Sequence, residues 1–173
     1  MSPVTLAANQ ILGLLTLISQ IIVALLFIGR LLKIKTCLSV IDYFRINKLL
    51  FTLIIALNAT LGSLFYSEIS GFEPCKLCWF QRIMMYPQAI ILILAFITKD
   101  DRIKNYLRLL SLIGISISIY HVLMQWGAVP SGSCSVVGTS VSCSKVLVTV
   151  FGYITIPMMA LTAFGLILIL QSL

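Results

Sequence analysis

Acidic side chains are scarce in this 173-residue chain: five Asp and Glu stand against twelve Lys and Arg, and charged residues of both signs make up only 10%. A water-soluble domain needs a far more polar surface than that, so a soluble globular fold is excluded. Histidine occurs once, at His121, which rules out a haem held by two histidines of this chain. No G-x-G-x-x-G fingerprint follows a strand pattern, so a nucleotide-held flavin has no support. Internal repeats, low-complexity tracts and long linkers are absent as well, and the length suits one domain with no separate soluble module.

What is present is apolar. Hydrophobic residues reach 60% and mean hydropathy is +1.12. A spanning helix needs roughly 20 predominantly apolar residues. Five segments meet that condition: Gln10–Gly29, Leu49–Ser67, Trp79–Thr98, Leu107–Trp126 and Val148–Leu170. The expected fold class is therefore an all-α integral membrane protein. The third segment reaches full length only if Arg82 snorkels outward at its start. The first lacks a basic n-region and is too long for an ordinary signal-peptide core, so it reads as a retained helix. Pro87 and Pro157 fall within spans and are expected to kink them.

Basic residues set the expected orientation. Arg30, Lys33, Lys35, Arg45 and Lys48 lie between the first two spans, and Lys99, Arg102, Lys104 and Arg108 between the third and fourth, nine of the twelve in all. The positive-inside rule makes those two loops cytoplasmic, with the N-terminus outside and the C-terminus inside. The net charge of +7 is thus a topology signal with contact to anionic lipid as a by-product. It does not indicate nucleic acid, because the charge lies in short juxtamembrane loops without interleaved aromatics.

The outer loops, Glu68–Cys78 and Gly127–Leu147, then hold Cys75 and Cys78 in one and Cys134 and Cys143 in the other, while Cys37 alone faces the cytoplasm. Two pairs on the side where disulfides persist point to redox or structural use. Cys75 and Cys78 are three residues apart at a helix start, on one face and within disulfide reach. The helix dipole and its unpaired N–H groups would stabilise a thiolate at Cys78, and Arg82, one turn on, adds a fixed positive charge. The plain alternative is a structural disulfide with Arg82 among the lipid headgroups. Cys134 and Cys143 close a small Gly/Ser-rich loop, which serves either as a staple or as the second pair of an exchange relay. A four-cysteine zinc site is disfavoured, because eight residues separate Cys134 from Cys143 where short-spaced zinc pairs have two to four. His121, near the outer end of the fourth span, is a candidate proton donor or hydrogen-bond partner, with Gln125 on the same face. Net disulfide formation also needs an electron sink, and a lipid-soluble quinone near Cys78 and Arg82 is what remains.

Three motifs carry a family resemblance: Pro74-Cys-Lys-Leu-Cys-Trp-Phe-Gln-Arg82, Tyr120-His-Val-Leu-Met-Gln125 and Phe151-Gly-Tyr-Ile-Thr-Ile-Pro157. In this order they resemble the disulfide-bond-formation protein B (DsbB) family, nearest its BdbC-type branch, over about Leu49–Leu170. The resemblance implies a four-helix transmembrane bundle from residue 49 to 173. Residues 1–48, the extra N-terminal helix and a cytoplasmic loop, have no counterpart in the usual members. It implies an enzyme of a bacterial cytoplasmic membrane that reoxidises an extracytoplasmic thioredoxin-like thiol oxidase (DsbA- or BdbD-like) and passes electrons to quinone, ubiquinone or menaquinone. By that resemblance Cys134 would form the mixed disulfide with the partner, with Cys143 as its mate. Cys75 and Cys78 would receive the electrons next, and Cys78 would engage the quinone. Gln81, Arg82 and His121 are the candidate quinone-binding residues, and no metal is expected. The second cysteine loop is shorter than in well-known proteobacterial members. Two other readings stay open: a vitamin K epoxide reductase-like enzyme, and a non-enzymatic membrane scaffold whose outer disulfides only hold loops.

Overall fold

The computed structural model describes residues 3–33, 35–100, 102–129 and 142–173. Its helices are α1 (Pro3–Leu31), α2 (Lys35–Ile46), α3 (Lys48–Leu64), α4 (Lys76–Thr98), α5 (Lys104–Gln125) and α6 (Ile156–Ser172), with a π-helical turn at Phe65–Ile69 extending α3. Among the described residues there is no strand beyond an isolated bridge between Val150 and Ile154. By length and composition, four helices among the described residues are able to cross a membrane: α1, α3 with its π turn, α4 and α5. The chain is all-α, as expected, and α6 is a shorter apolar helix of 17 residues.

Three expectations for the elements differ, the first being that α1 begins at Pro3, seven residues before the expected Gln10. The fifth segment does not become helical at Val148. Gly152 and Phe151 adopt positive φ, the Val150–Ile154 bridge closes a tight turn, and the helix starts only at Ile156. Pro157 therefore stands in the first turn of α6, where its missing N–H costs no helical bond, and it does not kink a span. The inner connection Arg30–Lys48 is not a plain loop either, since most of it forms α2.

α3 neighbours α4 and α6, and α5 neighbours the same two, so these four helices close into a ring. The ring's apolar centre comprises Leu53 and Ala56 of α3, Met85, Ala89 and Leu92 of α4, Leu107 of α5, and Phe164 and Ile167 of α6. Packing is close because Gly114 of α5 gives way to the Phe164 ring, the role small residues play between membrane helices. Buried polar pairs tie the ring together: Ser111 donates to Gln88 at 3.0 Å, and the Gln171 amide to Thr52 at 2.9 Å.

α1 lies outside this ring, against α6. Its buried positions, Thr5, Asn9, Gly13, Thr16 and Gly29, are all small or polar, whereas Ile11, Leu14, Ile18, Ile21 and Leu25 are exposed. That inverts the pattern of a soluble amphipathic helix and fits a surround of lipid.

Candidate functional site

The Cys-x-x-C pair marks the beginning of α4. Cys75 is its N-cap, in extended conformation, and its sulfur accepts the Cys78 N–H at 3.4 Å. Pro74 before it and a run of good helix formers after it explain why the helix begins here. The two sulfurs are 3.1 Å apart and belong to free thiols.

The capping geometry decides which thiol gains from the helix terminus. The expected thiolate was at Cys78, but it is Cys75 whose sulfur takes the cap position. Its thiol is lowered to about 4, first by the hydrogen bond shared with Cys78 and then by that to His121, against the opposing effect of burial. Nε2 of His121 lies 3.7 Å from the Cys75 sulfur and 3.1 Å from the carbonyl oxygen of Cys143. His121 is only 2% exposed, and its Nδ1 has no hydrogen-bond partner among the described residues.

Cys143 is disulfide-bonded and 1% exposed. It belongs to one buried cluster with Cys75 and Met124, against which Leu77, Cys78 and Tyr120 pack. The segment carrying the second pair is thus in contact with the first pair at Cys143. Cys134 lies outside the described residues. The ligand atoms of Cys75, Cys78 and His121 fall within 4.8 Å of one another, three soft donors able to take a metal ion while the pair is reduced.

Cys78 also faces the other way. It lines a cavity of about 310 Å³ together with Gln81, Arg82, Met85 and Tyr86 of α4. Arg82 does not snorkel outward. It is buried, with Nε donating to Ser63 Oγ and a terminal nitrogen to the Ser63 carbonyl, both at 2.8 Å, and with its guanidinium 5.3 Å from the Trp79 ring centre. Both of those bonds go to neutral acceptors, so the charge is oriented by α3 without being neutralised by them. The Gln81 amide donates to Ser118 of α5 at 3.0 Å, which ties α4 to α5 beside the cavity. The structure therefore brings Cys78, Gln81 and Arg82 to one cavity, while His121 stands with Cys75 on the opposite side, at a small pocket shared with Gln125.

Sequence reasoning missed Tyr66. It lies in the π-helical turn, is 5% exposed, lines the cavity, and its hydroxyl has no hydrogen-bond partner among the described residues. The only sequence signal is a tyrosine at the end of a span, where tyrosine is common for interfacial reasons.

The family described as disulfide bond formation protein DsbB matches residues 46–173. Disulfide bond formation protein C of Bacillus subtilis is 48% identical over 120 residues, 69% of this chain and 86% of that protein. The probable disulfide formation protein C of Halalkalibacterium halodurans is 41% identical over 123 residues, 71% of this chain and 89% of that one. A prophage-derived disulfide bond formation protein B of B. subtilis is 45% identical over 108 residues, 62% and 72% of the two chains. No solved structure gives a significant match. With a family match over most of its length, and with the Cys-x-x-C pair and its arginine set against one cavity, the chain belongs to the DsbB family.

Proposed function

We propose that the protein is a membrane thiol–quinone oxidoreductase that reoxidises a thioredoxin-like oxidase on the outer face of a bacterial cytoplasmic membrane. The observation that carries this reading is the two-sided setting of the Cys75–Cys78 pair. One side packs on the Cys143 segment and His121, and the other opens on the cavity with Arg82.

The cavity's residues suit a quinone. Its lining is largely apolar, it has a buried cation at one end, and a buried tyrosine hydroxyl there has no partner. Arg82 and Tyr66 would hold the ring's oxygens as hydrogen-bond donors, and Gln81 would keep α4 in register through Ser118. A bound quinone supplies an acceptor for two electrons and two protons.

The chain's own residues do the rest. A partner thiolate attacks Cys134 and displaces Cys143, and the partner's second thiol then resolves the mixed disulfide. Cys143 and Cys134 are left reduced, and they reduce the Cys75–Cys78 disulfide by the same exchange. His121, between Cys75 and the Cys143 carbonyl, keeps the two segments apposed and stabilises the leaving Cys75 sulfur as an anion. Cys78 then delivers the pair's electrons into the cavity, where Arg82 stabilises negative charge. Per cycle one partner dithiol becomes a disulfide and one quinone becomes a quinol. The five cations from Arg30 to Lys48 and the four from Lys99 to Arg108 support an orientation with both cysteine pairs outside. Residues 49–173 form the catalytic unit and 1–48 an addition to it.

The test is quinone-dependent oxidation of a reduced thioredoxin-like protein by the purified enzyme, beside Cys78→Ser. Turnover that requires both quinone and Cys78 supports the proposal. Intact outer disulfides with no turnover on any common quinone would favour the scaffold reading.

A further inference from the structure

α1 lies outside the residues matched by the family, yet it reaches the site. Leu12, Leu15, Thr16 and Ser19 line the same cavity as Cys78 and Arg82. These four recur at helical spacing and form one strip of the helix.

The level of that strip can be read from its neighbours. Thr5 shares a hydrogen bond of 3.2 Å with Ser70, and a Cβ on Gly62 would lie 3.4 Å from Leu12, so α1 runs antiparallel to α3. Arg82 is bonded to Ser63, next to Gly62, and therefore stands at the level of Leu12. From there Leu15, Thr16 and Ser19 continue along the cavity away from Cys78, opposite Asn58 and Ile55 of α3. Seven residues of helix span about 10 Å.

α1 is fixed in place beside this strip. Val150 fills the space where Gly13 lacks a side chain, 2.7 Å from where a Cβ would be. Gln20 donates to Thr162 of α6 at 2.9 Å and accepts from Tyr153 at 2.8 Å. The reactive end of the cavity is marked independently by the unpartnered Tyr66 hydroxyl.

We propose that α1 is the lipid-side wall of the ligand cavity, and that Leu12, Leu15, Thr16 and Ser19 hold the hydrocarbon tail of the bound quinone. This rests on the quinone reading above. The head end, at Cys78, Arg82 and Tyr66, belongs to the four-helix ring. The tail end is completed by α1, which makes α1 a determinant of how strongly long-tailed quinones are preferred.

The test compares two acceptors with the same benzoquinone ring, one without a tail and one with a decyl tail, in the full chain and in Thr16→Phe and Ser19→Phe. The variants should raise KM for the tailed quinone about tenfold, the effect of losing roughly two buried methylenes, and leave its kcat and both constants for the tail-less quinone within about twofold. Equal KM changes for both acceptors, or none for either, would overturn the inference and leave that face of α1 to phospholipid acyl chains. A second readout uses the unmodified protein and a benzoquinone carrying a photoreactive diazirine at the tail end, with labelled peptides mapped by mass spectrometry. Label within residues 12–19 supports the assignment. Label confined to α3, α4 and α6, with Cys78-dependent turnover intact, overturns it while sparing the quinone reading. No turnover with either acceptor and no label on any cavity-lining helix overturns both.

Discussion

His121 and Cys75 are held 3.7 Å apart, nitrogen to sulfur, while the same imidazole nitrogen is 3.1 Å from the Cys143 carbonyl. One buried ring thus touches both cysteine-bearing segments.

The acidity of Cys75 follows from that contact and from its cap position. Its thiol is lowered to about 4, against about 8.5 for a free cysteine. A depressed value means the anion is favoured in the folded protein. The associated stability is present in full above about 8.5, and it is lost as pH falls through about 4. Ultraviolet thiolate absorbance of the reduced Cys37→Ser protein should persist from neutral pH down to that point. In His121→Ala the midpoint should move upward, because one of the groups lowering it is gone. A midpoint near the free-cysteine value in the unaltered protein would refute the assignment.

Arg82 is predicted to act through its charge and its fixed direction together. Arg82→Ala should lower quinone-dependent turnover about 100-fold, the scale of losing a donor aimed at developing negative charge. Arg82→Lys should recover only part of this, since an ammonium does not reproduce the two-point hold on Ser63. Initial rates at saturating quinone measure both, and full activity in Arg82→Lys would show that direction does not matter.

Packing between α5 and α6 depends on Gly114. A methyl group there meets the Phe164 ring, so Gly114→Ala should destabilise the bundle by roughly 1–3 kcal/mol, the usual effect of overpacking. Thermal unfolding in detergent should show a lower midpoint. Turnover per folded molecule should fall as well, because the Phe164 ring that the methyl displaces lines the cavity.

Cys37 is a free thiol on α2 whose sulfur donates to the Leu26 carbonyl at 3.5 Å. Cys37→Ser should leave turnover unchanged. In the unaltered protein, a membrane-impermeant maleimide should reach Cys37 in inverted vesicles and not in intact cells. Labelling in intact cells would reverse the proposed orientation.

Much of this architecture is legible in the residues because lipid imposes a simple demand, roughly 20 apolar residues per crossing. That rule finds α3, α4 and α5 within about three residues of their observed ends, whereas α1 begins at Pro3, seven residues before the expected Gln10. It fails at Val148–Thr155, since apolarity alone does not separate a helix from a tight bridge, and the turn there depends on backbone angles at Phe151 and Gly152. α2 was hidden because its charged, mildly apolar sequence reads as connection. In the site, spacing predicts that Cys75 and Cys78 meet, but not which of them caps α4. The fate of Arg82 depended on Ser63, nineteen residues earlier on another helix, and no local pattern announces such a partner. Tyr66 and the α1 strip belong to the same class: their positions become meaningful only when four helices are set around one cavity.

The π-helical turn at Phe65–Ile69 is closed by the Ser70 N–H donating to the Phe65 carbonyl at 3.0 Å, a bond that skips one residue more than an α-helical one. That additional residue makes this turn sensitive to insertions and deletions as well as to side-chain identity. Removing any one of Phe65, Ser67, Glu68 or Ile69 would let the α-helical ladder run through, rotating the chain on one side by about 100° relative to the other. Tyr66 and the approach to Pro74 and Cys75 would then leave their present facing together, although every side chain that lines the cavity were still encoded. In this protein the length of a short segment is as much a determinant of the site as its composition.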